Sequence, residues 1–327
     1  MEFIIEQFIV CFNAVAPFFL IMAIGWFVRR VGLVGDPFFA GINKLTFTCF
    51  FPATLFMSMY TADLAAAFDL ALVVYFVIST LLVYAVLWIV GARFLKDKLR
   101  CAVFVQAGYR SNYLVLAMPV IAILLGPEAV PRTALILPFL VTVNNIQAAS
   151  LFVVAGQATD ISRLERMKGI IIGVFKMPMI IGVIIGLFGN VLTNATGLGL
   201  PIVLYRGIDS VAPIAAPAAL IGIGGALSME KVRRNLRLAI AATAAKNVLV
   251  PLAIIVPAVL LGFRGVDLAI IAMIGLSPVG PSAYTTAVAM GGEDAGNATA
   301  SCLVLSNAIA VFTIVPGLAI LSILGLF

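Results

Sequence analysis

Long apolar runs alternate with short polar stretches along almost the whole chain of 327 residues. About 20 consecutive apolar residues are enough for one helix to cross a membrane, so each run predicts one spanning helix. Ten spans are expected, near residues 8–28, 38–60, 68–91, 102–125, 133–156, 170–189, 201–228, 238–261, 267–290 and 298–325. The stretches between them are too short for a separate soluble domain.

The composition indicates the same class of protein. Hydrophobic residues make up 63% of the chain and charged residues only 10%, whereas about 25% of the residues of a soluble protein are charged. We therefore predict an all-α polytopic membrane protein and exclude a soluble enzyme. The chain has no histidine and four widely spaced cysteines, which removes the usual ligand sets of a zinc site. No metal, cofactor or catalytic residue is expected.

The basic residues of the loops are distributed unevenly. One set of alternate loops holds thirteen of them: Arg29, Arg30, Arg93, Lys96, Lys98, Arg100, Arg163, Arg166, Lys168, Lys231, Arg233, Arg234 and Arg237. The other set holds two, Arg132 and Arg264. Because Lys and Arg favour cytoplasmic loops, both termini are expected on the extracytoplasmic side of the cell membrane. The formal charge of +6 is then explained by the basic residues of the cytoplasmic loops beside the lipid bilayer, and no nucleic-acid partner is expected.

The basic loop near the middle divides the chain into halves of similar length. We predict a first repeat over 1–156, a cytoplasmic linker over 157–169 and a second repeat over 170–327. Each half has five spans, and an odd number inserts the second half upside down relative to the first. Inverted repeats of this kind are typical of secondary transporters.

The fourth and ninth spans are interrupted at corresponding places. The fourth contains the stretch Gly108-Tyr109-Arg110-Ser111-Asn112-Tyr113, and the ninth contains Ser277-Pro278-Val279-Gly280-Pro281-Ser282. Breaks of this kind leave backbone groups without helical partners in lipid, so protein or substrate must satisfy them. We predict that the two spans unwind and cross near 111–119 and 277–282, with crossover prolines Pro119, Pro278 and Pro281. Matched breaks in two halves point to a binding site at the middle of the membrane.

Arg110 lies inside its predicted span, beside Ser111 and Asn112. It lies about eight residues into its span, and no carboxylate in that span could pair with it. A guanidinium in this position suits a carboxylate ligand, which it can bind with two hydrogen bonds; the alternative is that it bonds the freed carbonyl groups of the ninth span. Lys44, Lys176 and Lys246 are expected to extend to the cytoplasmic interface, because each lies near a cytoplasmic span end.

Three motifs in this order resemble the auxin efflux carrier family, which includes plant PIN-type carriers and bacterial malonate-type permeases. The motifs are Gly41-Ile42-Asn43-Lys44-Leu45 with Phe51-Pro52-Ala53-Thr54-Leu55-Phe56, then Arg110-Ser111-Asn112 with Ala117-Met118-Pro119, and then Leu276-Ser277-Pro278 with Gly291-Gly292-Glu293. The resemblance covers essentially the whole chain. It implies ten helices with the fourth and ninth broken and crossing, as in bile-acid symporters and sodium/proton antiporters.

The resemblance also implies a function. Spans 1, 2, 6 and 7 would form a scaffold, and spans 3–5 and 8–10 a mobile transport domain that carries organic anions in an elevator-type movement. The substrate carboxylate would lie near Asn112, and the stretch around Pro52 would border the site. The family often has Asn-Pro at the start of the sixth span, where this chain has Met177-Pro178, so an auxin-like ligand is not assumed. The predicted substrate-binding residues are Arg110, Ser111, Asn112, Tyr113, Pro52, Ser282 and Tyr284.

Two other functions stay open at this point. A sodium-coupled symporter of the bile-acid type would need acidic and amide groups at the crossing, but the stretch from the predicted break to Glu293 offers Ser282, Thr285 and Thr286 and no carboxylate. Transport is therefore expected to proceed without sodium. An intramembrane enzyme would need a nucleophile with a base, and no convincing pair is seen. The expected partners are a small organic anion and the lipid bilayer, with a homodimer as an open alternative to a monomer.

Overall fold

The structure is a computed structural model that describes residues 2–156, 165, 168–169, 172–173, 175–226 and 233–327. Most of the predicted linker 157–169 lies outside these residues, as do three of the counted basic residues, Arg163, Arg166 and Lys231. The described chain is helical apart from its connections, and one isolated β-bridge is its only extended pairing. The prediction of an all-helical protein is confirmed.

The first half contains eight described helices. They are α1 (Glu2–Arg30), α2 (Asp36–Leu45), α3 (Phe51–Tyr60), α4 (Leu64–Ala67), α5 (Leu70–Phe94), α6 (Lys98–Tyr109), α7 (Met118–Leu125) and α8 (Ala129–Val154). The described part of the second half contains α9 (Pro178–Thr196), α10 (Ile202–Val211), α11 (Ala215–Ala226), α12 (Leu236–Ala244), α13 (Val250–Leu260), α14 (Gly265–Leu276), α15 (Pro281–Ile309) and α16 (Val311–Ile323).

Six helical stretches are long and apolar enough to cross a membrane by themselves. They are Ile4–Arg30, Leu64–Phe94, Ala129–Val154, Pro178–Thr196, Ile202–Ala226 and Leu236–Leu260. The pair α15 and α16, bent by 52°, gives a seventh if it counts as one span. The predicted second, fourth and ninth spans are not among these stretches, and the fourth and ninth are interrupted by extended backbone. Helix length alone therefore establishes a membrane protein of several spans.

Prolines explain several local departures from the regular helix. Pro52, Pro119 and Pro251 are each the second residue of a helix, and a π-helical turn precedes each of these helices. Proline has no N–H group and its ring clashes with the carbonyl four residues earlier, so the preceding turn widens. The sixth span was predicted from residue 170, but its described helix α9 begins at Pro178, because Met177 before it is extended.

Two helix pairs approach each other through glycine. A Cβ atom on Gly182 of α9 would lie 2.5 Å from the carbonyl oxygen of Pro52, and one on Gly186 would lie 2.6 Å from that of Phe56. On the other pair, a Cβ atom on Gly224 of α11 would overlap the carbonyl of Met22 in α1. Small residues four apart allow helix backbones to pack closely in membranes. The pairs α3–α9 and α1–α11 are therefore tightly packed units.

Candidate functional site

Two broken helices meet at the centre of the predicted crossing. Helix α6 ends at Tyr109 and α14 ends at Leu276, and extended backbone follows each end. Ser111 and Val279 form an antiparallel β-bridge. The Asn112 N–H donates to the Pro278 carbonyl at 2.8 Å, and the Gly280 N–H donates to the Arg110 carbonyl at 3.0 Å. Each break thus satisfies backbone groups of the other, as burial in lipid requires.

The sequence allows this close pairing through Gly280. A Cβ atom there would lie 2.7 Å from the Ser111 carbonyl oxygen, closer than normal van der Waals contact. The structure places the extended segments at 110–112 and 277–280, earlier than the predicted stretch around Pro119. Pro119 lies in the first turn of α7 and Pro281 is the first residue of α15. Proline is tolerated there because the first helical residues need no N–H partner within the helix.

Arg110 is held at the crossover by two side chains. It is 2% exposed. Its Nε donates to Ser282 Oγ at 3.1 Å and its Nη2 donates to Asn145 Oδ1 at 2.7 Å. Ser282 lies in the first turn of α15, and Asn145 comes from α8, so the guanidinium joins the ninth span to the fifth. None of the ion pairs among the described residues includes Arg110.

Two buried donors at the crossover have no hydrogen-bond partner among the described residues. They are Arg110 Nη1 and Asn112 Nδ2. Residues two apart in an extended segment point to the same side, so Arg110 and Asn112 share one side of the break. Unpaired buried donors cost about 1–3 kcal/mol each. A ligand with acceptor oxygens would remove that cost, and a carboxylate has two such oxygens.

The opposite side of the break contains a second buried cation. Lys246, in the π-helical turn Ala245–Leu249 before α13, is 0% exposed. Its Nζ donates to Ser111 Oγ at 2.7 Å and to the Gly275 carbonyl at 3.1 Å. The expectation that Lys246 extends to the interface is wrong, because the surrounding helices bury the whole side chain. Lys44 and Lys176, by contrast, are exposed.

Polar residues of the tenth span fix the ninth break in place. Ser306 Oγ accepts from the Val279 N–H at 3.1 Å and donates to Asn247 Oδ1 at 2.6 Å. Asn307 Nδ2 donates to the Val279 carbonyl at 2.9 Å. These side chains act as links between helices, which is the usual role of such groups in membranes. Lys246 and Asn145 also belong to the site, although neither was predicted there.

The remaining predicted residues are less closely tied to Arg110. Tyr113 is buried and begins the π-helical turn after the break. Pro52 is half-buried where α3 packs on α9. Tyr284 is 42% exposed on α15. Of the predicted set, the structure therefore brings Arg110, Ser111, Asn112 and Ser282 together at the crossover, with Tyr113 directly after it in the chain.

A cavity of about 580 Å³ opens near the basic ends of several helices. Its lining includes Arg29 of α1, Arg100 and Val103 of α6, Asn235 before α12 and Asp294 of α15. With a rise of 1.5 Å per helical residue, Val103 is about 10 Å along the chain from Arg110. The cavity therefore lies at the start of α6, the end opposite to the crossover.

Together these features define an integral membrane protein that pairs two broken helices around a buried arginine, a construction used by secondary transporters. A family model described as membrane transport protein, the family of the auxin efflux carriers, matches residues 10–316. The chain therefore belongs to this family, and the resemblance seen in its motifs is confirmed. A search of curated proteins finds no significant match.

Proposed function

We propose that this protein carries small organic anions across the membrane. One observation supports the proposal most: a buried guanidinium and a buried amide at the crossover each have an N–H donor without a partner. A carboxylate accepts charge-assisted hydrogen bonds from such donors. The positively polarised start of α15, directly after the crossover, also favours an anion. Since the family is a membrane transport family, this site is assigned to transport rather than to catalysis.

We also propose ten spans in two inverted repeats. Helix contacts support this, because they occur in pairs that exchange when span 1 is matched with 6, 2 with 7, and so on. The contact α1–α11 corresponds to α9–α3, α5–α6 to α13–α14, and α6–α8 to α14–α16. The first of these correspondences relates the two glycine-packed pairs. The crossover itself relates the fourth span to the ninth.

The elevator-type movement rests on the same helix groups. The glycine-packed pairs consist of spans 1, 2, 6 and 7, whose backbones are too close to slide easily. The transport group would comprise spans 3–5 and 8–10, which hold the crossover, Arg110 and Lys246. A carrier of this type would move the second group against the first and expose the crossover to alternate sides. The homodimer stays a prediction.

Transport of carboxylates is the direct test of the proposed function. Purified protein in liposomes is expected to move a labelled small acid, with malonate, lactate and an aromatic acid as the panel, faster than empty liposomes do. A labelled sugar and a labelled organic cation serve as controls, because neither is a carboxylate anion. Movement of the cation without any acid would contradict the proposal.

The alternative function is a sodium-coupled symporter, and the same flux measurement can distinguish it. Sodium sites in broken-helix transporters combine carbonyl groups with oxygen side chains, often including a carboxylate. The extended segments 110–112 and 277–280 contain neither Asp nor Glu. Acid flux is therefore expected to persist when choline replaces sodium at fixed pH and voltage. A steep loss of flux would favour the symporter.

Orientation in the cell membrane is a separate proposal, with both termini outside. Lys96 and Leu198 lie in connections that are predicted to face opposite sides, and both side chains are exposed. With Cys49 replaced by Ser, an impermeant thiol reagent added to intact cells is expected to label Leu198→Cys and not Lys96→Cys. Permeabilised cells provide the control, in which both positions react. Labelling of position 96 alone in intact cells would reverse the orientation.

A further inference from the structure

The surroundings of Lys246 are unusual for a buried cation. Its ammonium group contacts two uncharged oxygen atoms, Ser111 Oγ and the Gly275 carbonyl. No ion pair among the described residues includes it. A buried ammonium without a carboxylate partner is costly in a membrane protein, so the atoms around it must stabilise positive charge in another way.

The end of α14 supplies that stabilisation. Gly275 is the second-last residue of α14, so its carbonyl is one of the last four, which have no N–H partner within the helix. The residue four positions on, Val279, instead donates its N–H to Ser306 Oγ. The carboxyl end of a helix has a partial negative charge of about half an electron. The Lys246 ammonium therefore contacts the negatively polarised end of α14.

We propose that Lys246 is a tethered cation that takes the place of a coupling sodium ion. In sodium-coupled transporters with broken helices, the ion is held by half-helix carboxyl ends and unwound carbonyls. Hydroxyl and carbonyl oxygens are also the ligands that Lys246 has here. The Lys246 amine is covalently attached to the chain and cannot dissociate as a bound sodium ion can, so the crossover is complete without such an ion. This inference rests on the proposed carrier function and explains why transport would not need sodium.

The proposal makes Lys246 a positioning residue, because it touches the crossover backbone and the Ser111 side chain. Arg110 lies on the other side of the same extended segment and has its own partners. Loss of the Lys246 charge would leave the α14 end and Ser111 without their cation. A free monovalent cation could then occupy the vacated space if the replacement side chain is small.

The test compares Lys246→Ser with Lys246→Met in liposomes and in detergent. In choline, both variants are expected to transport at least about tenfold more slowly than the original protein. A tenfold loss corresponds to about 1.4 kcal/mol. Sodium is expected to restore flux several-fold in Lys246→Ser only, because Met fills the space with an apolar side chain. Sodium is also expected to raise the melting temperature of Lys246→Ser, but not that of Lys246→Met or of the original protein.

The melting experiment needs no substrate, so it separates this inference from the proposed function. If the original protein moves no acid but sodium stabilises Lys246→Ser selectively, only the carrier proposal fails. If sodium neither stabilises nor reactivates Lys246→Ser, the tethered-cation proposal is wrong. Should Lys246→Ser aggregate in choline, its recovery as folded protein in sodium supports the proposal, and aggregation in both salts overturns it.

Discussion

Replacing Arg110 by Gln is expected to lower acid transport by about 10- to 100-fold. The substrate would lose one charge-assisted hydrogen bond, worth about 1.5–3 kcal/mol, and each 1.4 kcal/mol corresponds to a factor of ten. The change would also remove the donors to Ser282 and Asn145. Initial flux in liposomes over a range of acid concentrations is the measurement, and the half-saturating concentration is expected to rise.

Arg132→Gln is the matched control for this prediction. Arg132 pairs with Asp267 and donates to the Ala66 carbonyl, and its side chain is partly exposed. It therefore has an ion pair of its own, at a distance in sequence from the break. Arg110→Lys is expected to be intermediate, because an ammonium keeps the charge but cannot reproduce the planar set of donors. Similar, mild losses for Arg110→Gln and Arg132→Gln would assign Arg110 a structural role.

Replacing Gly280 by Ala is expected to damage the crossover directly. The new Cβ atom would lie 2.7 Å from the Ser111 carbonyl oxygen and 3.1 Å from its carbon. Both contacts are with backbone, which cannot rotate away as a flexible side chain could. Overpacking of this kind costs about 1–3 kcal/mol. We expect a lower melting temperature in detergent and roughly tenfold slower acid flux.

Gly275→Ala provides the same substitution in the same region without the clash. The nearest atoms to a Cβ there are 3.8 Å away, which is ordinary contact. The Gly275 carbonyl that binds Lys246 would be unchanged, and Ala is favoured over Gly within a helix by up to about 1 kcal/mol. The variant is expected to melt and transport like the original protein. Equal damage from both changes would mean that the region tolerates no added methyl group, and the close backbone approach at Gly280 would not explain the loss.

The interruptions of the fourth and ninth spans could be predicted from sequence because their residues are costly inside a regular helix. Ser277-Pro278 and Arg110-Ser111-Asn112 are the stretches that adopt extended backbone. Their ends were less predictable. The predicted break extended to Pro119, but a π-helical turn and a proline at the start of a helix are both compatible with a continued helical path.

The depth of a basic residue depends on packing that one sequence does not specify. Arg110 was assigned to the site because it lies beside the predicted break and no carboxylate in its span could pair with it. Lys246 lies close enough to a predicted cytoplasmic end for its long side chain to reach water. It was therefore predicted at the membrane interface. Contacts of its ammonium with Ser111 and Gly275, both distant in sequence, decide the outcome. Locally, Pro251 accompanies the π-helical turn that contains Lys246, and this proline is visible in the sequence.

The reciprocal hydrogen bonds of the crossover also constrain how the protein is made. The segment 110–112 is synthesised long before 277–280, which lies late in the chain. Until that second segment enters the membrane, the Asn112 N–H and the Arg110 carbonyl lack the partners that they have in the finished protein. Unpaired backbone groups are costly in lipid. The break in the fourth span therefore gains these two hydrogen bonds only after the ninth span has been made, so the crossover is completed late in synthesis.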